Sequence, residues 1–244
     1  MRNYKLETEK RVDFIREQLS KSGATGIVFG NSGGKDCALV GILCKKACDN
    51  TVGIMMPCSS SVNYGNDIKD AISVAELYNI ENRTIDLTKT AEAIKVAVSG
   101  ATDEITKTAE INIPPRLRMT ALYTVAASEN RLVAGTGNRS ERHMGYFTKW
   151  GDGAFDFNPI ADLTVTEVLD FLRFFDAPKE IIEKPPSAGL YEGQTDEKDM
   201  GITYKAIDEY LLNGKCSEED LEIINRYHNV SEHKRRLPAV YEGL

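Results

Sequence analysis

A strand, a glycine-containing turn and a helix follow one another directly over residues 26–40, and no other stretch constrains the fold as strongly. Ile27, Val28 and Phe29 form a short run of β-branched and aromatic side chains, which is typical of a strand covered on both faces. Apolar residues at helical spacing begin at Ala38. The sequence therefore predicts a buried strand that turns directly into a helix.

The turn contains Gly33 and Gly34, which allow positive φ angles and a close approach of the backbone to a ligand. The amides of such a turn and the N-terminus of the next helix form a nest for phosphate oxygens. The turn is not a Walker A loop, because only three residues separate Gly30 from the Gly-Lys pair and Asp36 follows that pair. A tight turn without any ligand is the alternative interpretation.

Alternation of strand and helix patterns predicts an α/β fold, with a doubly wound parallel sheet and helices on both faces. The expected strands are residues 26–30, 51–56, 83–87 and 131–135. The expected helices are residues 1–20, one that includes 38–43, and then 65–78, 88–98, 114–129, 164–175, 199–212 and a last one from 217. Residues 99–115 and 142–162 show no clear helix.

Two polar segments, residues 30–36 and 136–141, directly follow strands of the predicted sheet. In doubly wound sheets, ligands bind at the carboxyl ends of the strands. We therefore expect both segments to belong to one site.

Asp36 lies beside the predicted phosphate nest, where a carboxylate would repel a polyphosphate. Mg²⁺, a hard cation that prefers oxygen ligands, would remove that conflict. Glu141 can supply a second carboxylate from the neighbouring strand end. The alternative is an acidic residue that only stabilises a helix N-terminus through the helix dipole. Lys35 can neutralise a departing pyrophosphate as a point charge, or it can be an ordinary solvated lysine.

Composition limits the possible functions. The chain has 244 residues, with 30 Lys and Arg against 37 Asp and Glu, a net charge of −7 that argues against a nucleic-acid binder. The first residues lack an apolar signal core, and no apolar run could span a membrane. Five cysteines without a C-x-x-C pair indicate free thiols in a reducing cytoplasm. One domain, residues 1–244, is expected.

The Ser-Gly-Gly-Lys-Asp-Cys sequence at residues 32–37 resembles the S-G-G-x-D-S loop of the PP-loop ATP pyrophosphatases, which adenylylate a substrate oxygen. Cys37 stands where that group usually has Ser or Thr. Four further segments make the chain similar to the ammonia-dependent NAD synthetases within that group. They are residues 135–141, 145–156, 194–201 and 232–235.

This resemblance implies a Rossmann-like PP-loop fold and ATP-dependent amidation of deamido-NAD by ammonia through an adenylylated intermediate. It implies a ligase that forms a carbon–nitrogen bond, a homodimer, and no membrane or nucleic-acid partner. The chain shows no room for a glutaminase domain before Gly26, so free ammonia, or ammonia from a separate protein, is expected. Another PP-loop ligase acting on a nucleobase or tRNA, and a non-catalytic nucleotide sensor, are the alternatives.

The resemblance also assigns residue roles. Asp36 and Lys35 are the catalytic residues, and Asp36 and Glu141 are the Mg²⁺ ligands. The ATP-binding residues are Gly30, Asn31, Ser32, Gly33, Gly34, Lys35, Asp36, Cys37, Thr136 and Ser187. The deamido-NAD-binding residues are Arg116, Lys149, Asp156, His233 and Lys234. Val165 departs from the family, which has a phosphate-binding Lys at this place, and either Lys35 or another cation takes over or catalysis is weakened.

Overall fold

A computed structural model describes residues 2–58, 66–184 and 195–241. Its strands are β1 Gly26–Gly30, β2 Thr51–Met55, β3 Glu81–Thr84 and β4 Arg131–Ala134. The first helices are α1 Tyr4–Ser22, α2 Lys35–Ala47, α3 Asn66–Leu77, α4 Thr88–Ser99, α5 Lys107–Ile111, α6 Ile113–Glu129 and α7 Arg139–Met144. The remaining helices are α8 Val165–Phe174, α9 Lys179–Glu183, α10 Asp196–Met200, α11 Tyr204–Asn213, α12 Glu218–Val230 and α13 Glu232–Arg235.

The four strands form one parallel sheet in the order β3-β2-β1-β4. Val28 lies at the centre, with Val52 on one side and Val133 on the other. β1 and β4 are neighbours in the sheet although about a hundred residues separate them in the chain. The loops that follow these two strands therefore leave the sheet side by side, as the sequence predicts.

Both faces of the sheet are covered, which confirms the doubly wound architecture. Successive side chains of β1 point to opposite faces. Phe29 packs in a cluster with residues of α1, α2 and α8, whereas Val28 packs in a second cluster with residues of α4 and α6. A third cluster joins α7, α8, α10, α11 and α12 beyond the end of the sheet. The helices of this third layer carry several side chains of the candidate site.

Some predicted boundaries are wrong. β3 begins two residues before the predicted strand at 83–87, because this edge strand has the polar sequence Glu-Asn-Arg-Thr and shows no apolar alternation. The predicted helix at 199–212 is two helices, α10 and α11, since Gly201 ends the first with φ +73°. Short helices α5 and α7 lie where no helix is predicted. None of the helices in the described parts of the chain is long and apolar enough to cross a membrane.

Candidate active site

The loop after β1 is held in place by the buried side chain of Asn31. Its Nδ2 donates to the carbonyl oxygen of Ala71 at 3.2 Å and to Oδ1 of Asn82 at 3.1 Å. Its Oδ1 accepts a hydrogen bond from the amide of Gly33 at 3.3 Å. Gly33 has φ +75°, a conformation that favours glycine. The three hydrogen bonds of Asn31 therefore hold the loop in one conformation against α3 and β3.

Ser32 and Cys37 close the loop onto the first turn of α2. The amide of Gly34 donates to Ser32 Oγ at 3.3 Å, and Ser32 Oγ lies 3.2 Å from Cys37 Sγ. Burial raises the pKa of the Cys37 thiol above its ordinary value. A protonated, buried thiol is a poor nucleophile. Cys37 therefore supports the hydroxyl of Ser32 and does not itself offer reactive chemistry.

Lys35 is not the solvated lysine of the alternative interpretation. Its side chain is only 7% exposed, its Nζ lies 2.8 Å from Oδ2 of Asp36, and it lies 5.8 Å from the ring centre of Tyr204. Burial by itself lowers the pKa of Lys35, but the carboxylates of Asp36, Glu141 and Asp196 outweigh burial and raise that pKa. A permanent positive charge therefore lies under the loop.

The segment after β4 reaches the same place through Asn138. This buried residue caps α7 by a reciprocal pair of hydrogen bonds with Glu141: the Glu141 amide donates to Asn138 Oδ1, and the Asn138 amide donates to Glu141 Oε2. Asn138 Nδ2 also donates to Oδ1 of Asp36 at 3.1 Å. Asn138 thus connects the segments that follow β1 and β4, and it brings Asp36 and Glu141 close to each other.

The pair of Asp36 and Glu141 fits a hard divalent cation. Burial first, and then the negative charge of Asp36, raise the pKa of Glu141 well above its usual range. Two carboxylates that repel each other in a partly dry site gain from a cation between them. Within residues 2–58, 66–184 and 195–241, three or more His, Cys, Asp or Glu side chains are nowhere grouped for a metal ion. Two carboxylates still suit Mg²⁺, which commonly takes its other ligands from water and substrate phosphates.

A cleft with a volume of about 890 Å³ opens above these groups. The loop after β1 and the start of α7 form its floor, and α5, α6 and the loop after α7 form its walls. Its lining includes Gly30, Asn31, Ser32, Gly34, Lys35, Asp36, Cys37, Thr136, Glu141 and Lys234. A volume of this size is large enough for a nucleotide-sized ligand.

Comparison with known proteins decides the family. The model of the NAD synthase family matches residues 7–238. The chain belongs to this family. An NH₃-dependent NAD⁺ synthetase of Carboxydothermus hydrogenoformans is 48% identical, with 98% of each chain covered. One of Archaeoglobus fulgidus is 44% identical, with 98% of this chain and 97% of the relative covered. An enzyme of this family is a ligase.

Solved structures named as NMN or NAD synthetases have the same fold. An NMN synthetase from Francisella tularensis superposes with a TM-score of 0.93 at 38% identity, over 100% of both chains. An NH₃-dependent NAD synthetase from Campylobacter jejuni superposes with a TM-score of 0.79 at 29% identity, over 99% of this chain and 100% of the other. The family match and these structures confirm the predicted PP-loop type of fold, and they argue against a ligase for nucleobases or tRNA.

The residues predicted to bind the second substrate form a chain of contacts beside the cleft, with one exception. Arg116 Nε donates to the Lys149 carbonyl oxygen at 3.4 Å, and Lys149 Nζ donates to the His233 carbonyl oxygen at 2.8 Å. Lys234 reaches the cleft lining, where its Nζ donates to the carbonyl oxygens of Gly145 and Phe147. Arg116, Lys149 and Lys234 therefore lie close together beside the cleft.

Asp156 is the exception. Its Oδ2 accepts a hydrogen bond from the amide of Val133 at 2.7 Å, and its Oδ1 accepts one from the hydroxyl of Tyr123 at 3.1 Å. It lies at the exposed edge of β4, apart from the cleft lining. Both carboxylate oxygens of Asp156 therefore already accept hydrogen bonds, one of them from the backbone of β4. Ser187, predicted to bind ATP, lies outside the described residues.

Three residues at the cleft or directly beneath it have no predicted role from the sequence. Asn138 lies in the segment 135–141 without a predicted role of its own, and in the structure it joins Asp36 to Glu141. Arg118 looks like a solvated residue on a helix face, but its Nε donates to the Met56 carbonyl oxygen at 3.0 Å and it lines the cleft. Lys107 lines the cleft from α5, in a segment without a periodic pattern.

Val165 also has its place in the structure, although it does not replace the lysine of the family. Its side chain is buried in the cluster that contains Tyr204, so it packs and offers no charge. Lys35, whose buried side chain lines the cleft, is one cation that the described residues provide there.

Proposed function

We propose that the protein catalyses ATP-dependent amidation of deamido-NAD by ammonia, giving NAD, AMP and pyrophosphate. The observation that carries this proposal is the junction of Asp36, Asn138 and Glu141 at the floor of the cleft. It places two carboxylates, a buried lysine and a glycine loop at the carboxyl ends of adjacent parallel strands, which suits a triphosphate. The relatives' name, NH₃-dependent NAD⁺ synthetase, states the nitrogen source and the product, and deamido-NAD is the acid whose amidation gives that product.

In the proposed reaction, a carboxylate oxygen of deamido-NAD attacks the α-phosphorus of ATP, and the bond to the pyrophosphate oxygen breaks. The loop at residues 32–34 receives phosphate oxygens on its amides, and Lys35 lowers the energy of the charge that develops on pyrophosphate. Ammonia then attacks the acyl carbon through its nitrogen lone pair, AMP departs with the bonding electrons, and a proton leaves the nitrogen. The cleft contributes orientation and exclusion of water.

Asp36 and Glu141 would hold Mg²⁺, and the raised pKa of Glu141 supports that assignment because a nearby cation would relieve the repulsion. When bound, Mg²⁺ supplies positive charge to the phosphate oxygens. Asn138 keeps Oδ1 of Asp36 oriented by its hydrogen bond. Thr136 and Ser187 complete the proposed ATP contacts.

We assign four side chains beside the cleft to the phosphates and carboxylate of deamido-NAD: Arg116, Lys149, His233 and Lys234. Asp156 remains a proposed ribose contact, which would require its hydrogen bond with Tyr123 to open. The homodimer also remains a proposal that rests on the family resemblance. We further propose that residues 1–244 form a single synthetase domain and, because all five cysteines are free thiols, that the protein is cytoplasmic.

A second candidate acid is the mononucleotide of nicotinic acid, whose amidation would give NMN. The observation that favours it is the TM-score of 0.93 with the Francisella tularensis NMN synthetase, against 0.79 with the Campylobacter jejuni NAD synthetase. The chemistry at the carboxylate and at ATP is identical for both acids. They differ only in the groups that the cations beside the cleft would hold.

A coupled assay tests the proposal. Purified protein receives ATP, Mg²⁺, ammonium and either deamido-NAD or nicotinic acid mononucleotide, and NAD, NMN and AMP are measured. We expect NAD formation with equal AMP, and loss of both in Asp36→Asn. Preference for the mononucleotide by kcat/KM would establish the second candidate. ATP binding without turnover of either acid would contradict both and would establish the nucleotide sensor.

A further inference from the structure

Asp208 on α11 is buried, with 2% of its surface exposed, although it touches neither the cleft nor the loop after β1. Its Oδ1 accepts a hydrogen bond from Ser140 Oγ at 2.5 Å. Its Oδ2 accepts two more, from the amide and from Oγ1 of Thr166, both at 2.7 Å. A carboxylate suits this place because it only accepts hydrogen bonds, whereas an amide side chain would turn a donor toward one of these donors.

These contacts join three helices at one buried point. Ser140 belongs to α7, Thr166 lies in the first turn of α8, and Ser140 Oγ also accepts a hydrogen bond from the Val165 amide at 3.3 Å. The negative charge lies at the N-terminus of α8, where the helix dipole stabilises it. Asp208 therefore anchors α7 and α8 to α11.

The helix that Asp208 anchors carries groups of the active site. Glu141 follows Ser140 directly, and Asn138, two residues before Ser140, donates to Asp36. α7 has only six residues, and a helix that short cannot hold its own position. Arg139 adds a second tie to α11, through a hydrogen bond from Nη2 to the Leu211 carbonyl oxygen at 3.0 Å.

We propose that Asp208 is a positioning residue for the reaction: through Ser140, it sets the place of α7 and thereby the approach of Asn138 and Glu141 to Asp36. This inference rests on the proposed function, because it names the site that α7 serves. The route has three steps, from Asp208 to Ser140, from Ser140 to the α7 backbone, and from Asn138 to Asp36. None of them requires Asp208 to touch a substrate.

The test uses Asp208→Asn and Ser140→Ala, with Glu209→Gln as the matched control. Glu209 is the next residue on α11 and is exposed, so its variant removes one charge from the same helix without touching the buried contacts. Thr166→Ser keeps both the hydroxyl and the amide that face Asp208. Three quantities are measured well below the unfolding temperature: kcat, KM for deamido-NAD, and Mn²⁺ affinity in the presence of a non-hydrolysable ATP analogue.

We expect kcat and Mn²⁺ affinity to fall about 10-fold to 100-fold in Asp208→Asn and Ser140→Ala, as is usual when a residue that orients a ligating side chain is removed. KM for deamido-NAD should stay unchanged, and Thr166→Ser and Glu209→Gln should match the wild type in all three quantities. If Asp208→Asn does not fold, Ser140→Ala gives the answer.

Folded variants with wild-type kcat and wild-type Mn²⁺ affinity would overturn the inference, even if they unfold at a lower temperature, because Asp208 would then be only structural. Failure of the proposed function has a different signature. In that case the wild type makes no NAD, and the Mn²⁺ affinities of the variants still decide whether Asp208 positions α7.

Discussion

The phosphate loop, residues 32–36, and the basic C-terminal segment, residues 231–236, differ in what their charged side chains contact. In the loop, Lys35 and Asp36 contact each other. Burial first, and then the negative charge of the nearby Asp36, raise the pKa of Glu141. In the C-terminal segment, Lys234 and Arg235 donate to backbone carbonyl oxygens of the loop after α7 and of α12. The first arrangement leaves repulsion that a ligand relieves, whereas the second stabilises the chain without a ligand.

This difference implies that substitutions in the phosphate loop reduce turnover more than stability. Substitutions in the C-terminal layer, meaning the basic C-terminal segment and the residues packed against it, should reduce stability as well. A buried like-charge pair costs folding free energy and persists where the ligand needs it. Hydrogen bonds from a cation to carbonyl oxygens, in contrast, contribute to the folded state directly.

Asp36→Asn should have the largest effect, and this effect should be on turnover and not on stability. We expect kcat to fall on the order of 10³-fold, because loss of one preorganised electrostatic group costs that much in comparable sites. The free energy of unfolding should change little, since Asp36 both attracts Lys35 and repels Glu141. Steady-state kinetics and thermal unfolding measure the two quantities. Asp103→Asn, on an exposed residue, is the control, and a kcat near the wild-type value would refute the assignment of Asp36.

Gly145→Ala tests the C-terminal layer. Gly145 has φ +66°, and a Cβ added there would lie 2.0 Å from the Cβ of Ser231. Overpacking together with a strained φ should lower the free energy of unfolding by about 3 kcal/mol. Denaturant titration measures the change. Gly100→Ala, where an added Cβ meets nothing within 4 Å, is the control, and equal stability of the two variants would contradict this packing.

Lys149→Met should have a smaller effect, on the binding of deamido-NAD. It removes the hydrogen bond to the His233 carbonyl oxygen and a cation proposed to contact deamido-NAD. We expect KM for deamido-NAD to rise about tenfold, since a hydrogen bond to a charged group contributes about 1.5 kcal/mol. KM for ATP should not change. Lys5→Met, at an exposed position on α1, is the control, and an unchanged KM for deamido-NAD would remove Lys149 from the substrate site.

His143 should give the smallest effect, visible only as a function of pH. Burial first, and then the charges of His228, Arg235 and Arg139, lower the pKa of His143 from 6.5 to about 4. The unfolded chain therefore binds more protons between these values, so stability is fully present above pH 6.5 and is lost as the pH falls toward 4. Unfolding temperatures measured from pH 7 to pH 4 should decline less steeply in His143→Gln. Parallel curves for the two proteins would contradict this.

The loop region could be predicted almost completely from the sequence, because its strand, its glycines and its helix follow one another along the chain. The C-terminal layer could not be predicted, since its contacts join residues far apart in the sequence. For the same reason, the partners of Asp156 and the bond from Asn138 to Asp36 appear only in three dimensions.

Two element boundaries were also missed. Gly201 interrupts a pattern that looks like one helix, and the edge strand β3 has no apolar alternation.

The fate of the substrate's carboxylate oxygen tests the central claim most directly, namely that the loop at residues 32–36 directs attack on the α-phosphorus of ATP. Deamido-NAD labelled with ¹⁸O in its carboxylate is converted in a single turnover, and both phosphate products are analysed by mass spectrometry. Attack on the α-phosphorus leaves one ¹⁸O atom in AMP and none in pyrophosphate. Unlabelled AMP accompanying NAD formation would contradict it.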